Sequence, residues 1–384
     1  MQYFSSSAKL GILGGGQLGK MLLYTTRKWD VCTHVLDPSA SAPSRLACNH
    51  FVQGDFKDYQ TVYDFGKGLD VLTIEIEHVN TEALRQLEKE GVQTYPSAAT
   101  LELIQNKGVQ KDFYQQHHIP TAPHQRFENK QLLQQAIDSH KLSFPFVWKA
   151  ALMGYDGQGV SIIRSRADMD RLSDGECIAE KLVPFTHELA VTVARNPSGE
   201  TVTYPVVEME FHPEANQVEY VLCPARIAED IKEKAMAVAL QVSEALDHVG
   251  LLAVELFLTE AGEILVNEVA PRPHNSGHHS IETAHTDQFE QHIRAILNLP
   301  LGSTRPVIAG VMVNLVGAEG HTGQVHYENI ARALEVEGVT PHIYGKKETR
   351  PFRKMGHVTI VDADLSRARE KAAQVKQLIN VIST

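Results

Sequence analysis

Glu255 and Glu268 occupy positions at which a hairpin would set two carboxylates face to face. Ala253-Val-Glu-Leu-Phe-Leu-Thr259 and Ile264-Leu-Val-Asn-Glu-Val-Ala270 both read as strands, and Glu260-Ala-Gly-Glu263 between them is a turn signal. With Ala261-Gly262 as a two-residue loop, Glu255 opposes Glu268. Like charges in direct opposition destabilise a mostly apolar hairpin, whereas a divalent cation between them reverses the sign of the interaction. Magnesium takes a few carboxylates and leaves positions for phosphate oxygens, so it is the expected ion, with manganese as a substitute. The competing reading is an exposed acidic face produced by a one-residue register slip.

Two glycine turns add phosphate-directed chemistry. Phe146-Val-Trp-Lys149 reads as a strand, Gly154-Tyr-Asp-Gly-Gln-Gly159 as a loop and Val160-Ser-Ile-Ile163 as the returning strand. Such a flap can lay backbone amides over a polyphosphate while Lys149 contributes a point charge. It is not a Walker loop, since no G-K-[ST] and no helix follow the glycines. Near the N-terminus, Gly14-x-Gly16-x-x-Gly19 lies between a strand and a helix, with Asp37 ending the next strand, and so matches the dinucleotide fingerprint. The turn itself requires only a helix N-terminus with open backbone N–H groups, which favours any phosphate. A phosphate-bearing substrate is therefore expected ahead of NAD, and glycines needed only for close helix–strand packing are the bland alternative.

The elements that position these groups follow from the hydrophobic pattern. Lys9 to Leu13, a helix from Gln17 to Lys28 and a strand from Val31 to Leu36 form a βαβ unit, extended by strands near His50 to Val52 and Val71 to Glu75. Leu101 to His118 reads as one helix leading into Ile119-Pro-Thr-Ala-Pro123, a rigid linker. Beyond Cys177 to Val183 the pattern becomes antiparallel, with a helix from Glu229 to Val249, and the tail from Pro306 reads as a small third unit. At 384 residues and 43% hydrophobic, the chain can bury a large core, and its net charge of −11 argues against non-specific binding to nucleic acid or an anionic membrane. Cys32, Cys48, Cys177 and Cys223 are widely spaced without a C-x-x-C pair, which fits reduced thiols used in packing. The short apolar run before the glycines and the lack of a long apolar stretch predict a soluble, cytoplasmic protein. His274 and His278 are four apart but follow two prolines, which disfavours helical zinc geometry, and Ser276 lacks a strained elbow for a hydrolase.

The glycine flap with its lysine, Glu180-Lys-Leu-Val183, and the carboxylate hairpin running into Asn267-Glu-Val-Ala-Pro-Arg-Pro-His-Asn-Ser-Gly-His278 together resemble the ATP-grasp superfamily. Within it, Ile74-Glu-Ile-Glu-His-Val79 and Gly154-Tyr-Asp-Gly157 resemble the 5-(carboxyamino)imidazole ribonucleotide synthase family, over the whole chain. The resemblance implies a mixed α/β and α+β molecule. Residues 1–105 would form an open parallel, Rossmann-like domain, 106–185 a lid, 186–305 the antiparallel ATP-grasp unit and 306–384 a small C-terminal α/β domain.

The resemblance also implies roles for particular residues. ATP would be held by Lys107, Lys149, the flap Gly154, Tyr155, Asp156, Gly157, Gln158, Gly159 and Val160, the adenine edge Glu180, Lys181, Leu182 and Val183, the ribose contact Glu188, and His212, Asn267 and Glu268. Aminoimidazole ribonucleotide would meet Gln17, Leu18, Glu77, Tyr155, Asp156, His274 and Asn275. Lys346 and Arg353, in the densest basic cluster of the chain, would take its monophosphate. Glu255 and Glu268 would carry magnesium, and Asp156, Lys149, Glu255 and Glu268 would be catalytic. Gln158 stands where the family often has a basic residue and Lys107 where it usually has arginine, so an ionic contact and a bidentate fork are missing. The implied reaction consumes ATP and bicarbonate to carboxylate the exocyclic amine in purine biosynthesis, with a homodimer as the implied assembly. A formate-dependent glycinamide ribonucleotide transformylase, another ATP-grasp carboxylase such as biotin carboxylase, and a silent nucleotide sensor are the alternatives.

Overall fold

The computed structural model describes residues 7–152, 159–212, 215 and 217–384. The N-terminal part is a five-stranded parallel sheet in the order His50–Gln53, Cys32–Asp37, Lys9–Leu13, Val71–Ile74, Gln93–Tyr95. Its inner strands are apolar runs because helices cover both faces. Helix Gln17–Lys28 packs Leu18, Met21 and Leu22 against Leu10, Ile12 and Val35 on one side. Helices Tyr59–Gly66 and Thr81–Lys89 close over Leu13, Leu36, Leu72 and Ile74 on the other.

The predicted single helix from Leu101 to His118 is two helices, Ala98–Gln105 and Lys107–Gln116. The break is at Asn106, whose backbone is extended (φ −111, ψ 105) and whose side-chain oxygen accepts from the N–H groups of Gly108 and Val109. Asparagine competes well for such a cap, and periodicity alone does not register it. The break makes Lys107 the first residue of a new helix and so sets its direction.

The lid is a four-stranded antiparallel sheet in the order His124–Phe127, Cys177–Lys181, Phe146–Ala150, Val160–Ile163. Helix Lys130–Asp138 supplies Leu133, Ala136 and Ile137 to its core beside Phe146 and Trp148. The largest sheet has nine strands. Its path runs Ile264–Ala270, Gly250–Thr259, Phe185–Arg195, Val207–Phe211, Val218–Cys223, Ala309–Val316, Lys354–Asp362, Val339–Ile343, and Thr201–Thr203 pairs with Phe185–Arg195. The tail therefore extends the central sheet through the pairing of Tyr220 with Val313, in a strand that begins at Ala309, just after the expected boundary at residue 306. Helix Glu229–Ala245 covers one face, where Leu189, Val191, Val254, Leu256, Val266 and Val269 form the main core.

Replacing Asn106 with alanine removes both side-chain acceptors from the second helix. We expect a loss of about 1–2 kcal/mol in urea-unfolding free energy. An unchanged midpoint would show that the cap contributes nothing.

Candidate active site

The carboxylate hairpin pairs Glu255 with Glu268, by a route that differs from the predicted one. The turn has three residues, Glu260 to Gly262, closed by Gly262 N–H donating to Thr259 O at 3.0 Å, and Gly262 takes φ +77. This shifts the register by one, so that Leu256 faces Val266, until a bulge between Glu255 and Leu256 restores it. Asn267 is the extra residue. A bulge re-aims a side chain, and here it leaves Val266 and Val269 in the core while Asn267 and Glu268 join Glu255 on the opposite face. Glu188 shares that face, because its neighbours Leu189 and Val191 alternate into the core.

Cations converge on this acidic face. Lys107 Nζ lies 2.5 Å from Glu268 Oε2, and Lys149 Nζ donates to Asn267 Oδ1 at 3.0 Å. Lys149 also lies 2.9 Å from Glu180 Oε2, while Lys111 Nζ approaches Oε1 of the same carboxylate at 3.0 Å. His274 Nε2 is 3.6 Å from Glu255 Oε1, and its Nδ1 is 2.9 Å from the Ser276 hydroxyl, which orients the ring.

The charges respond accordingly. Burial, with Glu268 and then Glu188 nearby, pushes the Glu255 carboxyl up. Lys107 foremost holds Glu268 down, and Glu268 keeps 42% of its side chain exposed, so it forms the open side of the pair. Burial raises Glu188 to about 7. Burial also acts to raise Glu180, but Lys149 and Lys111 outweigh it and hold that group down to about 2. Lys111 itself is pushed down to about 8 by burial. Two facing carboxylates with an adjacent amide oxygen form an all-oxygen donor set suited to magnesium or manganese.

The N-terminal glycine turn corrects an expectation. Its amides are not all open. Gly16 and Gly19 donate to Glu75 Oε1 and Oε2 at 2.7 and 2.8 Å, and Gly15 donates to Asp37 Oδ2 at 2.7 Å. A Cβ on Gly16 would stand 2.5 Å from Glu75 Oε1, so the glycine accommodates an internal carboxylate. Asp37, the residue a dinucleotide ribose would need, is turned inward. Of the first four donors of helix Gln17–Lys28, those of Gln17 and Leu18 meet no protein acceptor among the described residues.

The structure brings Lys107, Lys149, Glu180, Glu188, Glu255, Asn267, Glu268 and His274 together. Glu77 is tied to Arg272, 2.7 Å from its Nη2, and Asn275 exchanges amide hydrogen bonds with Asn314 at 2.9 and 2.8 Å. Lys346 donates to Lys354 O and Arg353 to Glu348 O. Their loop is drawn to the glycine turn by Lys20, which donates to Ile343 O, and by Tyr344 in the core beside Leu18. His212 meets Phe352 edge-on, with ring centroids 5.9 Å apart. Lys181, Leu182 and Val183 line a surface cleft with Pro123 and Phe185. Gly159 and Val160 close the base of the flap, where Ala150 N–H donates to Gly159 O at 2.9 Å. Gly154, Tyr155, Asp156, Gly157 and Gln158 lie outside the described residues.

Four functional groups escaped the sequence reading. Lys111 was signalled only by its four-residue spacing from Lys107 on one helix. Glu75 stood at the carboxyl end of an apolar parallel strand. Lys354, which acts on Glu255, lay unchosen in the basic cluster, and Arg272 lay between two prolines.

Fold and site together define an ATP-grasp enzyme. An ATP-grasp domain matches residues 112–289, a ribonucleotide synthetase preATP-grasp domain residues 7–105, and a phosphoribosylaminoimidazole carboxylase C-terminal domain residues 310–371. The chain belongs to the N5-carboxyaminoimidazole ribonucleotide synthase family, ADP-forming ATP-grasp ligases of purine biosynthesis. It is 37% identical to the Bacillus subtilis synthase, over 94% of this chain and 93% of that one. The Thermotoga maritima synthetase structure is similar at TM-score 0.90 and 45% identity, covering 98% of this chain and all (100%) of that one. An Aspergillus clavatus synthase in complex with ADP and 5-aminoimidazole ribonucleotide is similar at 0.87 and 32% identity, covering 97% and 99%. The chain spans only 64% and 70% of the longer Vigna aconitifolia and Ogataea methanolica phosphoribosylaminoimidazole carboxylases that it matches.

Lys111 ties three elements together. It reaches Glu180 of the lid, Thr121 Oγ1 of the linker at 2.6 Å and Val266 O of the carboxylate hairpin at 3.4 Å. Lys111→Met leaves a buried carboxylate short of one partner and should destabilise the chain by about 3 kcal/mol in denaturant titration. A loss under about 0.5 kcal/mol would show that Lys149 suffices. A second prediction concerns pH. Glu180 is depressed from the ordinary 4.5 to about 2, so its stabilising contribution is complete above 4.5 and is lost as pH falls toward 2. The stability difference between the natural chain and Glu180→Gln should therefore shrink through that window, and a flat difference would refute the assignment.

Proposed function

We propose that this site carboxylates the exocyclic amine of 5-aminoimidazole ribonucleotide at the expense of ATP and bicarbonate. The carrying observation is the Glu255–Glu268 pair, placed on one sheet face with Asn267 by a bulge and bordered by Lys107 and Lys149. A bicarbonate oxygen attacks the γ-phosphorus of ATP, the bond to the bridging oxygen breaks, and ADP leaves carboxyphosphate behind. Loss of phosphate from carboxyphosphate gives carbon dioxide. The amine attacks that carbon and its proton passes to a base.

Each named residue has a part in this reading. Lys149, at the root of the flap, and Lys107 offset the charge that spreads over the transferring phosphoryl oxygens. Magnesium held by Glu255 and Glu268 would supply further neutralisation of the triphosphate there. Glu180 to Val183 and Glu188 are assigned to the adenosine, together with His212. Gln17 and Leu18, as the remaining amide donors of a helix N-terminus, are suited to the monophosphate, with Lys346 and Arg353. Glu77, Tyr155, Asn275 and His274 are assigned to the ribose and imidazole, and Arg272 has a buried Nε without a protein acceptor among the described residues. Asp156 is assigned to orienting or deprotonating the amine.

Carboxyphosphate is lost to water in an open cleft. The lid domain that carries the flap, hinged near Ile119 to Pro123, is assigned to closing over it. A cytoplasmic homodimer belongs to the same reading. No helix among the described residues is long and apolar enough to cross a membrane.

The decisive assay is phosphate release, which should require ATP, bicarbonate and aminoimidazole ribonucleotide together. Asp156→Asn should retain ATP binding and lose amine-dependent ADP release, whereas Glu255→Gln should lower turnover by about a hundredfold or more. Release supported by formate with another amine would overturn the substrate assignment, and unchanged turnover in Asp156→Asn would remove Asp156 from its role.

A further inference from the structure

The outer edge of the parallel sheet gathers metal-ligating side chains at the end away from the cleft. Cys32 and His34 are two apart on strand Cys32–Asp37 and so share a face, while Thr33 and Val35 between and beyond them are buried on the other. His50 opens the edge strand His50–Gln53 and pairs with His34 in parallel register, which puts it on the same face. One ligand atom from each of the three residues falls within 4.8 Å of the others. Cys32 Sγ is 3.8 Å from His34 Nε2, and the two imidazoles stack with centroids 4.4 Å apart at 26°.

Ligand atoms about 2.0–2.3 Å from a tetrahedral zinc ion are separated by roughly 3.3–3.8 Å. The sulfur–nitrogen pair is already near that spacing, and His50, exposed on the edge strand, has a ligand atom within 4.8 Å of both. We infer that Cys32, His34 and His50 form a three-ligand site for a borderline-soft divalent metal of the zinc class, with its fourth position open to water. Thiolate with imidazole selects such a metal over magnesium, which the carboxylate pair suits.

Two features bear on the charge balance. The neutral imidazole is the form that ligates, so metal binding competes with protons at His34 and His50. Lys9 pairs with Cys32 across the inner strand, but it is exposed and its ammonium can turn to solvent. On binding, the Cys32 thiol gives up its proton and the thiolate offsets one of the two metal charges. Cys32 and His50 begin their strands, whereas the glycine turn follows the end of strand Lys9–Leu13. The site is therefore separate from the catalytic face, and its occupancy should not depend on Glu255 or Glu268.

The test is titration of the full chain with cobalt(II), read by the thiolate-to-cobalt charge-transfer absorption in the near ultraviolet. Carboxylates binding cobalt elsewhere give no such band. We expect one thiolate-bound cobalt per chain, displaced by zinc, with the band absent in Cys32→Ser and retained in Glu268→Gln. His50→Ala should weaken binding at least about tenfold while keeping ATP-dependent turnover, which shows that the variant is folded. A missing band, a band that survives Cys32→Ser, or an affinity unchanged in either His34→Ala or His50→Ala would each overturn the three-ligand site.

Discussion

Two carboxylates facing each other across a β-ladder repel by about 3 kcal/mol at a separation near 5 Å and an effective dielectric near 20. That repulsion organises the centre of the molecule. Glu255 and Glu268 coexist with Lys107 paired to one and with His274 and Lys354 near the other. The pair presents its oxygens on one face of the sheet with a cation already beside it. The donors are already in place, so little reorganisation is left for the moment of reaction.

The same economy of internal partners recurs around the cleft. Lys149 divides its donors between Glu180 and Asn267, and Lys111 holds Glu180 from the other side. The ion triad is thus a joint between lid, linker and hairpin as well as an electrostatic device. At the glycine turn, Glu75 and Asp37 occupy three amides and leave two helix N-terminal donors for a ligand. An acidic chain can still bind an anion when the nearby cations are buried and aimed, because the field that matters is local.

The continuous nine-stranded sheet explains how distant segments reach one site. Strands from the tail continue the ladder that carries Glu255, and the loop after Ile343 returns to the N-terminal helix through Lys20 and Tyr344. Residues more than three hundred apart in sequence are thereby brought into contact. The basic cluster near Lys346 is brought beside the glycine turn by that return, and not by its neighbours in the chain.

Much of this was legible in one dimension. Alternation of apolar residues, the glycine turns and the paired glutamates indicated a parallel sheet, an antiparallel sheet and a carboxylate hairpin, since period and turn chemistry act over a few residues. The pairing of Glu255 with Glu268 was read correctly, yet by a two-residue turn without a bulge. The three-residue turn and the bulge at Asn267 offset each other, and only the bulge places Asn267 beside the carboxylates. The break at Asn106, the burial of Lys111 and the capture of the glycine amides by Glu75 were decided by tertiary structure. Each depends on a partner supplied by a distant segment or on a cap competing with helix continuation, and hydrophobic periodicity carries no record of either.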